Sequence, residues 1–218
     1  MDYLINIDSD LLLWLNGAHN AFFDAFMMLF TNKFIWVPMY LALAYLLFRN
    51  MSLKQVVMCL VAIALLVVIT DQMSSSLIRY AVGRLRPANL ENPISDMVHI
   101  VDGYRGGRYG FPSSHAANSF GLAFFLLYLF RRSPIPVFVM VWAIFNSYSR
   151  IYLGVHYPGD ILCGVLVGLM AATLVWFIYK KLTNQSYLSE VRGWSMPIVV
   201  GLLTVVGISL YSYYVINY

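Results

Sequence analysis

Six apolar stretches constrain this chain more than any other feature, running approximately over residues 22–48, 53–77, 115–130, 135–149, 158–179 and 194–216. Crossing about 30 Å of hydrocarbon takes about 20 apolar residues in helical form. A chain in lipid must also satisfy its backbone groups internally, which leaves helices for stretches of this composition. The expected fold is therefore all-α, a polytopic membrane protein with a six-helix transmembrane bundle. Composition agrees, at 61% hydrophobic and 11% charged over 218 residues, outside the range of soluble domains. No polar segment is long enough for a second domain, so residues 1–218 are expected to form one membrane domain.

The N-terminal region lacks basic residues before its first apolar run and reads as retained rather than as a cleaved signal. Asp8, Ser9 and Asp10 stand before Leu11, Leu12, Leu13, Trp14 and Leu15, which suits a capped helix lying in the membrane interface. Thr31, Asn32 and Lys33 interrupt the first run, so residues 22–33 read either as a separate interfacial helix or as part of a span. Cys59 and Cys163 lie in apolar runs and behave as small hydrophobes rather than as a disulfide framework. The net charge of +4 comes without a basic stripe interleaved with aromatics, so no nucleic-acid partner is expected. Nothing in the sequence specifies an oligomeric state.

Polar residues collect at the second and fourth connections: Arg79, Arg84 and Arg86, then Ser113, Ser114 and His115, then Arg150, His156 and Asp160. Alternate connections share a membrane side, so these clusters can converge whichever way the chain inserts. Arg79 and Arg86 are seven apart, about two helical turns, and would share a face if the helix continued to Pro87. Guanidiniums stay charged and present planar donors suited to phosphate, although such a pair also snorkels to headgroups. Ser113 or Ser114 is placed to cap the third long helix, with His115 in its first turn, where free N–H groups favour an anion.

His156 and Asp160 are four apart, with Pro158 at a plausible first helical position. A carboxylate in that first turn can accept from one imidazole nitrogen, fix the tautomer and leave the other nitrogen free to attack. The same pair could instead bind a metal or cap a helix, but its neighbours are chiefly arginines, which repel a cation. Arg150 at the end of the fourth run completes three candidate phosphate ligands. Singly each residue has a plain interfacial reading; together on one side of a membrane protein they point to a site.

These residues resemble the type 2 phosphatidic acid phosphatases, or lipid phosphate phosphatases. The family signature of Lys, six residues and Arg-Pro reads here as Arg79 to Arg86-Pro87, with Arg for Lys. Pro-Ser-Gly-His reads as Pro112-Ser113-Ser114-His115, with Ser for Gly, and Ser149, Arg150, His156 and Asp160 match the third motif in full. The resemblance implies that His156 attacks phosphorus to give a phosphohistidine and that His115 protonates the leaving group. Arg79, Arg86 and Arg150, with Ser113 and Ser114, would hold the phosphate oxygens, and neither metal nor cofactor is needed.

The implied substrate is a membrane lipid phosphate or diphosphate, with undecaprenyl diphosphate, phosphatidylglycerophosphate, phosphatidic acid and lipid A phosphate as candidates. Alternatives are a phosphotransferase using the same phosphohistidine and a non-catalytic binder. The loop over residues 88–111, with His99, Asp102, Tyr104, Arg105 and Arg108, is expected to meet the headgroup. With the three phosphate ligands set aside, Lys and Arg number seven in the first, third and fifth connections against three in the others. Positive charge favours the cytoplasm, so the site is expected on the extracytoplasmic side of a bacterial inner membrane.

Overall fold

The computed structural model describes residues 2–184 and 187–218. In chain order the helices are α1 (Asp2–Asn16), α2 (Ala21–Phe30), α3 (Val37–Asn50), α4 (Leu53–Asp71), α5 (Ile78–Val82), α6 (Ser114–Leu129), α7 (Ile135–Tyr152), α8 (Pro158–Thr183) and α9 (Ser195–Asn217). A π-helical segment, Gln72–Leu77, joins α4 to α5 in one continuous rod. Among the described residues the only β pairing is an isolated bridge between Leu85 and Tyr109. The all-α expectation holds. Among the described residues three rods are long and apolar enough to cross a membrane, Leu53–Val82, Pro158–Thr183 and Ser195–Asn217. The other three expected spans correspond to α3, α6 and α7, of 14, 16 and 18 residues.

The first apolar run is two helices. Asn20 caps α2 by accepting from the Phe23 N–H at 2.9 Å. After Phe30 the chain turns, Asn32 Oδ1 accepting from the Phe34 N–H and Trp36 Nε1 donating to the Phe30 carbonyl at 2.8 Å. Pro38 then sits in the first turn of α3, where its missing N–H costs nothing. The N-terminal expectation needs correction: α1 starts at Asp2, so Asp8, Ser9 and Asp10 lie inside it rather than capping it. Its outer face shows Tyr3, Leu4, Ile7 and Trp14, while Leu12 is buried against Val98, Ile151 and Tyr157.

The α6–α8 pair forms the centre of the bundle, and small residues let it close. A Cβ at Gly164 would stand 2.5 Å from the Ser113 carbonyl, and one at Gly168 would stand 2.7 Å from that of Ala117. Such backbone proximity is the packing device of helices in lipid. It sets the N-terminus of α6 beside that of α8, where the Ser113 N–H donates to the Asp160 carbonyl at 3.0 Å.

Candidate active site

Arg79 and Arg86 flank the segment that ends α5, but they do not share a helix face. Gly83, at φ +63°, ends α5, a left-handed conformation that favours glycine. Arg86 therefore lies in the following loop, and Pro87 is not the helix stop. The Arg86 N–H donates to the Arg108 carbonyl and the Gly110 N–H to the Arg84 carbonyl, anchoring this loop against the one before α6. The buried Arg86 side chain donates from Nε to the Tyr109 carbonyl at 3.1 Å and from Nη1 to the Val155 carbonyl at 3.0 Å. Arg79 donates to the Pro112 carbonyl and to Ser114 Oγ at 3.0 Å, with its Nε unpartnered.

Arg150, in the last turn of α7, is 3% exposed. It donates to Thr31 Oγ1 at 2.8 Å and to the Tyr104 hydroxyl at 2.9 Å, again with Nε unpartnered. Among the described residues, none of Arg79, Arg86 and Arg150 forms an ion pair. Buried guanidinium without a carboxylate is costly, and an anion entering among the three would relieve that cost.

His156, 1% exposed, closes the chain's turn into α8. Its Nδ1 lies 3.2 Å from Asp160 Oδ2, which also accepts from the Tyr157 N–H at 3.0 Å. Its Nε2 faces Arg86 Nη1 at 3.1 Å. Burial first, then the charges of Arg86, Arg150 and Arg79, pushes its proton affinity well below the usual histidine range. The imidazole is thus neutral near pH 7, with Nδ1–H toward the carboxylate and the Nε2 lone pair toward the arginines. Burial, with Arg150 and Arg79 beside it, lowers Arg86 to about 10, so it remains a cation.

Ser113 caps α6, accepting from the Ala116 N–H, and is fully buried. Its hydroxyl is occupied in the cap, whereas Ser114 and His115 face a cavity of about 550 Å³. That cavity runs between α3, α4, α6 and α7, past Trp36 and Trp142 to Leu47, Leu60 and Leu126. It is polar at the His115 end and apolar along its length. Arg79 reaches Ser114, Arg86 reaches His156 and the Ser113 N–H meets the Asp160 carbonyl, so the three sequence clusters do converge.

The PAP2 superfamily model matches residues 55–184, which contain all three clusters. This chain belongs to the PAP2 superfamily. It is 48% identical to the lipid A 4'-phosphatase of Bacteroides thetaiotaomicron, over 97% of this chain and 98% of that protein. It is 37% identical to the lipid A 4'-phosphatase of Porphyromonas gingivalis, over 82% of this chain and 75% of that one. Its fold resembles the crystal structure of Aquifex aeolicus LpxE with a TM-score of 0.55 and 24% identity, covering 76% of this chain and 92% of the other. The chain is accordingly a membrane phosphatase of the PAP2 superfamily.

The PAP2 site draws on residues to which the sequence assigns either no role in the site or a different one. Thr31 and Tyr104 hold Arg150, and Arg84 donates to Asp160 Oδ1 at 3.0 Å. Asp8, from α1, meets Arg84 at 2.7 Å. The side chains of His99, Arg105 and Arg108 in the loop over residues 88–111 are engaged within the loop and with α2. His99 pairs with Asp24 at 2.9 Å and stacks on His19, Arg105 donates to the Ala88 carbonyl, and Arg108 pairs with Glu91. Asp102 takes a turn at φ +47°. Of the five loop residues expected at the headgroup, Tyr104 meets a candidate phosphate ligand, Arg150, with its side chain, and Arg108 meets Arg86 through its backbone carbonyl.

Proposed function

We propose that this PAP2 protein removes the 4'-phosphate of lipid A, or of a closely similar acylated saccharide phosphate, through a phosphohistidine on His156. The observation that carries the chemistry is a buried His156 held by Asp160 at Nδ1 and met by Arg86 at Nε2, in a site whose three arginines, Arg79, Arg86 and Arg150, have no carboxylate of their own among the described residues. Likeness to two lipid A 4'-phosphatases, one over almost the whole chain, supports the substrate. His156 Nε2 attacks phosphorus and the bond to the sugar oxygen breaks, with His115 giving that oxygen its proton. Water then attacks the phosphohistidine, His115 takes up a proton, and inorganic phosphate leaves. Arg79, Arg86 and Arg150, with Ser114 and the N–H groups at the start of α6, bind the equatorial oxygens where charge must be held during in-line transfer. Ser113 contributes by fixing that helix end.

No step in this scheme calls on a metal. Acyl chains occupy the cavity between α3, α4, α6 and α7, whose head lies at His115. We further propose that α3, α6 and α7 complete a six-span bundle forming one domain, with the site on the extracytoplasmic side of a bacterial inner membrane. The positive-charge bias supports this orientation.

The test is phosphate release by purified protein in detergent with EDTA, from lipid A, undecaprenyl diphosphate, phosphatidylglycerophosphate and phosphatidic acid. Fastest release from lipid A, at the 4' position, is expected. Faster turnover of another lipid overturns the substrate, and release only after adding a phosphoryl acceptor turns the reading to a transferase.

A further inference from the structure

Arg84, half-buried, differs from Arg79, Arg86 and Arg150 because carboxylates flank it on both sides. Its Nη2 lies 2.7 Å from Asp8 Oδ2 and its Nη1 3.0 Å from Asp160 Oδ1, with the guanidinium 3.7 Å above the Tyr157 ring. A cation neutralised in this way is a poor phosphate ligand. Asp8 is equally committed, since its Oδ1 accepts from the Gly159 N–H at 2.7 Å in the first turn of α8. The approach is close enough that a Cβ on Gly159 would stand 2.7 Å from Asp8 Oδ2.

We propose that Asp8 and Arg84 are positioning residues acting in series on the His156–Asp160 pair, so that α1 forms part of the catalytic framework. The proposal rests on His156 being the nucleophile. Asp160 is fully buried, its Oδ2 serving His156 Nδ1 and the Tyr157 N–H, which leaves Arg84 as the charged partner of Oδ1. Without that contact the carboxylate keeps only its Oδ2 partners and holds the imidazole's tautomer and direction less firmly. A flexible arginine among nearby anions needs its own anchor, and Asp8 supplies it. Asp8 is in turn held by the docking of α1: Leu12 is buried, and Asn16 Nδ2 donates to the Tyr152 carbonyl at 2.7 Å while its Oδ1 accepts from the His99 N–H. The N-terminal helix thereby sets the aim of a nucleophile far along the chain.

The test compares Asp8→Asn, Arg84→Gln, the double variant and His156→Ala, each purified in detergent and checked for monodispersity, by initial rates of phosphate release from lipid A. Asn keeps the acceptor for the Gly159 N–H and removes only the charge. A partner that orients a reacting group from outside changes turnover by roughly ten- to a hundredfold. Asp8→Asn is expected to lower kcat roughly tenfold and Arg84→Gln roughly a hundredfold, with KM within about twofold in both. The double variant is expected to match Arg84→Gln alone, because Asp8 acts only through Arg84. Wild-type kcat in Asp8→Asn, losses that multiply in the double variant, or a loss carried by KM would overturn the series arrangement. Should Asp8→Asn aggregate, Arg84→Gln carries the same kcat-only expectation with the α1 contacts intact. An active His156→Ala refutes the nucleophile and the proposal with it, whereas a dead His156→Ala beside an unaffected Asp8→Asn refutes the proposal alone.

Discussion

Replacing Gly164 by alanine tests whether the α6–α8 approach aligns the site. The added Cβ would stand 2.5 Å from the Ser113 carbonyl oxygen, 2.9 Å from Ala116 Cβ and 3.3 Å from the Ala117 nitrogen. Carbon contacts are comfortable near 3.5 Å, so relief requires the helices to part by about 1 Å. Two of these three atoms are backbone, which has no rotamer to change. Overpacking of this kind costs about 1–3 kcal/mol. The displacement falls where the Ser113 N–H meets the Asp160 carbonyl, so His115 moves relative to His156, and a misplacement of about 1 Å costs about a hundredfold in rate. Gly207→Ala in α9 is the control, since nothing lies within 4 Å of its added Cβ. Kinetics of phosphate release and thermal unfolding in one detergent should show Gly164→Ala slowed by about ten- to a hundredfold at temperatures where it remains folded. Gly207→Ala should be unchanged. Equal kcat for the two variants refutes the argument that this backbone contact sets the catalytic geometry.

Arg150→Lys keeps the charge but loses the fork that spans Thr31 and Tyr104; kcat/KM should fall by about ten- to a hundredfold, or about 1.4–2.8 kcal/mol, and a fall under threefold counts against a phosphate role. His156 binds its proton more weakly folded than unfolded, so below about pH 6.5 the unfolded chain takes up the extra proton and stability drops by up to about 1.4 kcal/mol per pH unit. Unfolding midpoints should therefore decline on acidification through that range in wild type and less in His156→Asn; parallel curves would contradict the burial of a neutral imidazole. Leu122→Trp fills the slot between α4 and α6, and should slow release from lipid A at least about tenfold while sparing a water-soluble phosphate ester; equal slowing of both would place the acyl chains elsewhere.

Much of the site was legible because its strongest signals are local. The four-residue spacing of His156 and Asp160, and the cap at Ser113, are properties of single helix starts, which sequence specifies closely. The helix end after Arg79 was misread because Pro87 drew attention from Gly83, whose positive φ stops the rod earlier. Asp8 had no local signature: its partners are Arg84 and Gly159, 76 and 151 positions away, and its neighbours Ser9 and Asp10 made it look like a cap. Arg84, Arg105 and Arg108 cannot be told from phosphate ligands by residue type. The difference lies in whether a carboxylate or carbonyl already holds the guanidinium, which only the folded arrangement reveals.

The central claim, a phosphohistidine on His156, is tested most directly by trapping it. Substrate carrying radiolabelled phosphate is mixed with enzyme in EDTA, quenched in alkali, where phosphohistidine survives, and the labelled peptide is mapped. The account predicts label on the peptide containing His156, formed at the rate of turnover and absent from His156→Ala. Label on another residue, or turnover by His156→Ala without any labelled intermediate, would contradict it.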